Sequence, residues 1–194
     1  SDLSCFTTGQ MQYISQQLEA NKTEIDINSY SRWSYIRIIA SQRVGYKALE
    51  TMRRKASALY STLKQHAHKE VMVWDISNQA KMAEAFLEGL ALSHYQFLKY
   101  KTNDTNKKPA LRDIWVLSDG LSEHELSHLK FLCTAVYQVR DLVNEPLSRL
   151  NAVQLGKEFQ RMAGESGFSV EVFNRKKIES LRLYGFLAVN RGGV

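Results

Sequence analysis

Apolar residues along the chain change period several times, and each change predicts an element. Met11, Ile14 and Leu18 recur at helical spacing behind Thr7 or Thr8, either of which can cap a first helix. After Asn21-Lys22, Ile25 and Ile27 alternate with Glu24 and Asp26, the period of a half-buried strand. Asn28-Ser29 turns the chain, and the aromatic and β-branched run from Trp33 to Ile39 predicts a second strand paired with the first. From Tyr46 the period is helical, with Tyr46, Leu49, Met52, Ala56, Leu59 and Leu63 on one stripe. Val71-Met72-Val73-Trp74 is nearly continuous in apolar residues, which predicts a strand buried on both faces. Ser77 or Asn78 can cap a long helix through Met82, Phe86, Leu90 and Phe97. Gly89 inside it costs about 1 kcal/mol relative to Ala, so a close helix–sheet approach is the expected compensation.

Lys101 to Pro109 reads as a polar loop and Leu111 to Leu117 as the next strand. Asp119-Gly120 turns into a long helix whose apolar spacing stops at Pro146. Strands alternating with helices predict an α/β fold, with a mixed or mostly parallel sheet carrying helices on both faces. Beyond Pro146 the pattern predicts a helix from Ala152 to Ala163, stopped by Gly164 and Gly167, and a strand through Phe168, Val170 and Val172. A short basic helix from Arg175 to Ser180 and a strand from Phe186 to Val189 follow. That segment is too small to bury a core of its own. Tyr137 to Pro146 is accordingly read as a hinge helix between one complete domain and the beginning of another.

The bulk properties narrow the function classes. A length of 194 residues with 44% hydrophobic and 24% charged residues suits a soluble globular chain of one domain, or one domain and part of a second. No apolar run approaches the roughly 20 residues needed to cross a bilayer, and residues 1–8 show no signal core, so no membrane partner is expected. Cys5 and Cys133 are the only cysteines and lie far apart, which gives neither a disulfide framework nor a thiolate metal spacing and fits the cytoplasm. The net charge of +6 and pI near 9.3 permit DNA contact. The clusters Arg53-Arg54-Lys55, Lys107-Lys108 and Arg175-Lys176-Lys177 read as solvated helix faces and loops. A basic nucleic-acid-binding or interaction module without catalytic role is therefore the alternative to an enzyme.

The loudest chemical motif is His124-Glu125-Leu126-Ser127-His128, a literal H-E-x-x-H. On a helix that spacing sets two imidazoles on one face to hold zinc, with the glutamate as general base. The context favours a structural reading. Ser122 and Glu125 have capping-box spacing, and Asp141 and Glu145 lie too far along the same helix to supply a third ligand. His66 and His68 flank Ala67 before a strand, a spacing that can chelate metal but at a loop edge is read as solvated, and His94 is read as a core-edge residue. Trp33, Tyr35, Trp74 and Trp115 fall on predicted strands and are assigned to core packing. Dinucleotide and phosphate-loop signatures are absent.

Four segments carry a family resemblance. Arg140-Asp141-Leu142-Val143-Asn144-Glu145-Pro146 resembles the "ARDLVNEP" segment of the leucine (cytosol) aminopeptidase family, on the helix joining its N-terminal and peptidase domains. Phe168 to Phe173 with Lys177-Ile178-Glu179 resembles the first strand and helix of that peptidase domain, and Gly185 to Gly192 is similar to its "GxLAVxxGS" strand. Upstream, Glu88-Gly89-Leu90 through Tyr95 to Lys101 resembles the family's "EGxxLxxYxFxxYK" helix and its exit. Arg182-Leu183-Tyr184 departs from the family's Gly-Met-Gly-like turn, and Gly193 replaces its common Ser.

The resemblance, covering roughly Leu49 to Gly192, implies an N-terminal macro-domain-like domain, a three-layer α/β/α sandwich with a mixed sheet, over residues 1–120. It further implies a connecting helix over 121–146 and the truncated beginning of a second α/β domain, the peptidase domain, over 147–194. It implies a parent exopeptidase acting on peptide substrates with two divalent metals (zinc, manganese or magnesium), assembled as a homo-oligomeric hexamer. The family's metal ligands lie in "KGxxFDxGG" and "NTDAEGR" segments, neither of which occurs in these 194 residues. No catalytic or metal residue is therefore carried over, no cofactor is expected in this fragment, and the chain by itself is expected to be inactive. Its expected role is assembly or access.

Overall fold

The computed structural model describes residues 5–38, 44–102 and 111–191. The chain divides into two compact units, Ser1–Asp141 and Leu142–Val194. The first unit opens with α1 (Thr8–Glu19), started by Thr7. The Thr7 hydroxyl accepts from the Gln10 N–H at 3.3 Å, and the Gln10 side chain accepts from the Thr7 N–H at 2.9 Å, a reciprocal capping box. Ile14 of α1 meets Ile25 and Ile27 of β1 (Glu24–Asn28) in a small buried cluster. β1 pairs antiparallel with β2 (Trp33–Arg37), Ile25 lying opposite Ile36. The predicted hairpin is thus present, and its expected extension to Ile39 lies outside the described residues, as does most of the predicted loop from Lys101 to Pro109. Arg37 ties the hairpin by donating to Asp26 Oδ1 at 2.6 Å.

The larger core is built by α2 (Tyr46–Gln65), β3 (Glu70–Asp75), α3 (Ala80–His94) and β4 (Asp113–Ser118). Met52, Ala56, Leu59 and Leu63 of the predicted α2 stripe are buried against Met82, Ala85, Phe86 and Leu90 of α3, while Tyr46 at its head is exposed. β3 and β4 run parallel, with Val71 opposite Ile114 and Val73 opposite Val116, so β3, α3 and β4 form a β-α-β crossover. Gly89 is compensated by a helix–helix approach, not the helix–sheet approach expected. A Cβ there would stand 2.4 Å from the Arg53 carbonyl oxygen and 2.6 Å from its Cα. Only a residue without a side chain lets the two backbones pass this closely.

The limits of α3 differ from prediction for local reasons. The Ser77 N–H and hydroxyl both donate to Asp75 Oδ1, at 2.9 and 2.6 Å, and Asn78 takes a left-handed φ of 54°, so neither caps the helix and Gln79 precedes it. At the far end Tyr95 is extended (φ −53°, ψ 131°), which leaves Phe97 beyond the helix. α4 (Glu123–Asn144) stops before Pro146 as its spacing predicts.

Among the described residues, side chains cover β3 on one face. Val71, Val73, Ile114 and Val116 lie against side chains of α2, α3 and α4, whereas Met72, Trp74, Trp115 and Leu117 on the opposite side are exposed. Trp74 and Trp115 are therefore not core residues. An unbroken apolar run states that both faces are apolar and leaves open what lies on each. The α/β class stands as expected. Its described strands form two two-stranded sheets, one antiparallel and one parallel, and helices cover one side of the parallel pair.

In the second unit α5 (Ala152–Ser166) is capped by Asn151, whose side chain accepts from the Gln154 N–H at 3.0 Å, and ends at Gly167 with φ 74°. α6 (Arg175–Ser180), capped by Asn174, matches the predicted basic helix. The two predicted strands do not form. Residues 168–172 carry no ladder, and Phe186 to Val189 lie inside α7 (Tyr184–Asn190). A strand needs a neighbour for its N–H and C=O groups, whereas a helix closes them within itself. Ala163 is the one buried residue among those described in this unit.

Candidate functional site

A set of polar contacts lies where α3 ends against α4, and it unites two of the sequence segments singled out above. A helix C-terminus leaves its last carbonyls without intrahelical donors. Tyr137 and Arg140 stand three residues apart on one face of α4 and supply those donors. The Tyr137 hydroxyl donates to the Ala91 carbonyl, and Arg140 Nη1 donates to the Leu92 carbonyl at 2.8 Å. The Arg140 guanidinium lies 5.4 Å over the Tyr95 ring, which packs tilted against Tyr137 at 5.4 Å. The Tyr95 hydroxyl in turn donates to Asp141 Oδ1 at 2.8 Å. Burial pushes the Tyr137 phenol above its ordinary range, which keeps it a donor.

Further contacts tie α3 to α2. The Tyr60 hydroxyl lies 3.4 Å from His94 Nδ1, with the rings edge to face, and burial followed by the Lys64 charge lowers the His94 pKa. Beside Gly89, Arg53 Nε donates to Glu88 Oε2 at 2.7 Å. This is a joint that caps and locks helices. Tyr95, Tyr137 and Arg140 were not singled out as individual residues in the sequence, because their partners are backbone carbonyls or aromatic faces that no motif marks.

His124, Glu125 and His128 occupy the first turns of α4. Glu125 Oε2 accepts from both the N–H and the hydroxyl of Ser122 at 2.9 Å, and the Ser122 hydroxyl accepts from the Glu125 N–H at 3.3 Å. These bonds hold the carboxyl below its usual range, assisted by Lys81 and His124. His124 and His128 are exposed. Among the described residues no group of three or more His, Cys, Asp or Glu side chains is placed to hold a metal ion, so a di-metal centre does not fit the side chains found here.

His66 and His68 are more organised than a solvated pair. The His66 ring stacks on Trp33 at 4.5 Å, and the Tyr35 hydroxyl lies 3.0 Å from His68 Nε2. Ala67 between them takes a left-handed φ of 56°. Burial and then neighbouring His66 lower the His68 pKa. A polar cleft of about 450 Å³ between α2 and α3 is lined by Ser57, Tyr60, Ser61, Lys64, Gln65 and Ser93. Lys64 lies in the last turn of α2, where its positive charge complements the negative end of the helix dipole. Cys133 is buried beside Leu87 and Leu129, where its thiol packs as a small hydrophobe.

Comparison with known proteins gives a consistent set of similarities. No family model matches the chain. A probable cytosol aminopeptidase of Clostridium perfringens (strain 13 / Type A) is 30% identical over 154 residues, 74% of this chain and 31% of that protein. A probable cytosol aminopeptidase of Sulfurihydrogenibium sp. (strain YO3AOP1) is 26% identical over 166 residues, 82% of this chain and 33% of that protein. The chain thus spans about a third of the length of the curated relatives it matches. Among solved structures, a mutant of tomato leucine aminopeptidase superposes with a TM-score of 0.69 at 16% identity, over 87% of this chain and 35% of that one. The bottromycin maturation enzyme BotP in complex with Mn gives 0.67 at 20% identity, over 88% and 36%. At these identities the structural matches speak for the fold.

Proposed function

This chain is a relative of the leucine (cytosol) aminopeptidase family over its N-terminal region, and we propose that its parent is a leucyl aminopeptidase-like di-metal exopeptidase releasing N-terminal residues from peptides. The observation that carries the proposal is the match to proteins named cytosol aminopeptidases over about three quarters of this chain. In the parent, two divalent metals (zinc, manganese or magnesium) would reside outside the residues present here. The complex of BotP with Mn supports a divalent metal in proteins of this fold. The first domain would occupy residues 1–120, the connecting helix 121–146, and the start of the peptidase domain 147–194. This portion would serve assembly, as part of a hexamer, or access. The parent would be cytoplasmic, in keeping with its relatives' names. No described helix is long and apolar enough to cross a membrane.

This chain alone would have no peptidase activity, because neither metal-ligand segment of the family is in its sequence. Purified chain with manganese should leave leucyl-p-nitroanilide intact, and turnover above a metal-free control would overturn that assignment. The net charge of +6 supports a second reading, contact with DNA. Such contact would be electrostatic and should weaken steeply with added salt. Unchanged mobility of duplex DNA at low salt would remove it.

A further inference from the structure

We propose that α1 and the β1–β2 hairpin form a docked flap that acid releases, with His66 and His68, in the turn between α2 and β3, as its clasp. The flap has a small core of its own. Ile14, Ile25 and Ile27 are buried together, with Phe6, Met11, Ile36 and Ile38 packed on them. Among the described residues β1–β2 is a sheet separate from β3–β4. Two sets of side chains tie the flap to the larger core. In the middle of α2, Lys55 Nζ donates to the Ile38 carbonyl at 3.0 Å and lies 3.8 Å from Glu24. Past the end of α2, Trp33 stacks on His66 at 4.5 Å. Tyr35, which packs on the larger core, brings its hydroxyl to 3.0 Å from His68 Nε2.

The clasp fits a neutral imidazole. An uncharged ring offers Nε2 as an acceptor to the Tyr35 hydroxyl, and a protonated ring offers none. A proton on His68 would also be half-buried and set against His66, whose ring centroid is 6.0 Å away. The charges nearby give no relief. Arg37 lies 5.8 Å over the Tyr35 ring and adds a fixed positive charge. Asp26 and Glu24 of β1 are engaged by Arg37 and Lys55. Lys64 of α2 lies by His94, and at the start of β3 Glu70 bonds Arg112 while Lys69 is exposed. Burial and then His66 hold the folded His68 pKa below the ordinary 6.5. Docking is therefore favoured in full above about pH 6.5 and is lost as pH falls through the lowered folded value. On release His68 and Tyr35 meet water while the flap's own cluster stays intact, a local opening and not unfolding.

With Trp74→Phe and Trp115→Phe, both at exposed positions, Trp33 is the remaining tryptophan and reports on the clasp. Its quenching by acrylamide should rise by about twofold as pH falls from about 7.5 to 4.5, while the helical circular dichroism signal is unchanged. His68→Gln keeps a neutral acceptor for Tyr35 and should leave Trp33 shielded across the range. Lys55→Met removes the other tie and should move the release to higher pH. Trp33 quenching that ignores pH would overturn the proposal. So would an acid rise that persists in His68→Gln, a midpoint that Lys55→Met leaves in place, or loss of the helical signal in step with the rise.

Discussion

Replacing Gly89 by Ala tests whether the α2–α3 approach governs the first unit. The new Cβ would stand 2.4, 2.6 and 2.9 Å from the carbonyl oxygen, Cα and carbonyl carbon of Arg53, all backbone atoms. No rotamer can relieve such a contact. Ordinary van der Waals separation begins near 3.4 Å, so the helices must part locally by about 1 Å (3.4 less 2.4). A gap of about 1 Å forfeits up to half the dispersion of each atom pair it opens, here between the Met52, Ala56 and Leu59 side and the Met82, Phe86 and Leu90 side. Alanine returns about 1 kcal/mol of helix propensity. Overpacking against immovable backbone belongs at the top of its range, about 3 kcal/mol, so the net loss is about 2 kcal/mol. Trp33, Trp74 and Trp115 are the only tryptophans and all lie in the first unit, so their fluorescence in urea follows that unit alone. The midpoint should fall by about 1 M at an ordinary urea dependence. Gly164 has open space around its Cβ position and lies inside α5, so Gly164→Ala is the control and should preserve or raise α5 helicity. A Gly89→Ala midpoint equal to or above wild type would refute the close-approach argument.

Removing donors from the α3–α4 joint should cost stability in proportion to their charge. Tyr137→Phe should lower the first unit's unfolding free energy by about 1 kcal/mol and Arg140→Ala by about 2 kcal/mol, both readable from the same urea titration. Equal, negligible effects would show that water caps the α3 carbonyls just as well. Acid should weaken the unit. His68 and His94 both have folded-state pKa values below the ordinary 6.5, first through burial and then through His66 and Lys64 respectively. The unfolded chain therefore binds protons that the folded chain resists. Their contribution is complete above about pH 6.5 and is lost as pH falls through the lowered folded-state values. Stability measured from pH 7.5 to 5 should decline, and the decline should flatten in a His68→Gln, His94→Gln double variant.

Local signals in the sequence were read well because their partners lie within a few residues. The caps at Thr7 and Ser122 each join groups three residues apart, and the α2 stripe repeats through five turns of one helix. Features whose cause is a distant partner were not legible. Gly89 is explained by Arg53, 36 positions earlier (89 less 53), and the spacing within α3 says nothing about it. Phe186 to Val189 has a strand's composition but lies in α7, with no described strand paired to it, and a short apolar run cannot report that. Trp74 and Trp115 were assigned to the core because apolar identity says how a face is made and not whether anything lies on it.

Two of the segments that carry the family resemblance meet in one physical contact, which changes what the resemblance means. Glu88 and Gly89 fit against the side chain and backbone of Arg53, while Tyr95 meets Arg140 and Asp141 at the far end of the same region. None of these groups is arranged as a nucleophile with its base or as a ligand set. They cap carbonyls, admit a backbone and stack a guanidinium on a ring. The resemblance at these positions is thus carried by residues that fix helices. Asp141, the last side chain of the joint, is also the last residue of the first unit. The residues read as a hinge therefore include groups that cap and pack the end of α3 within that unit.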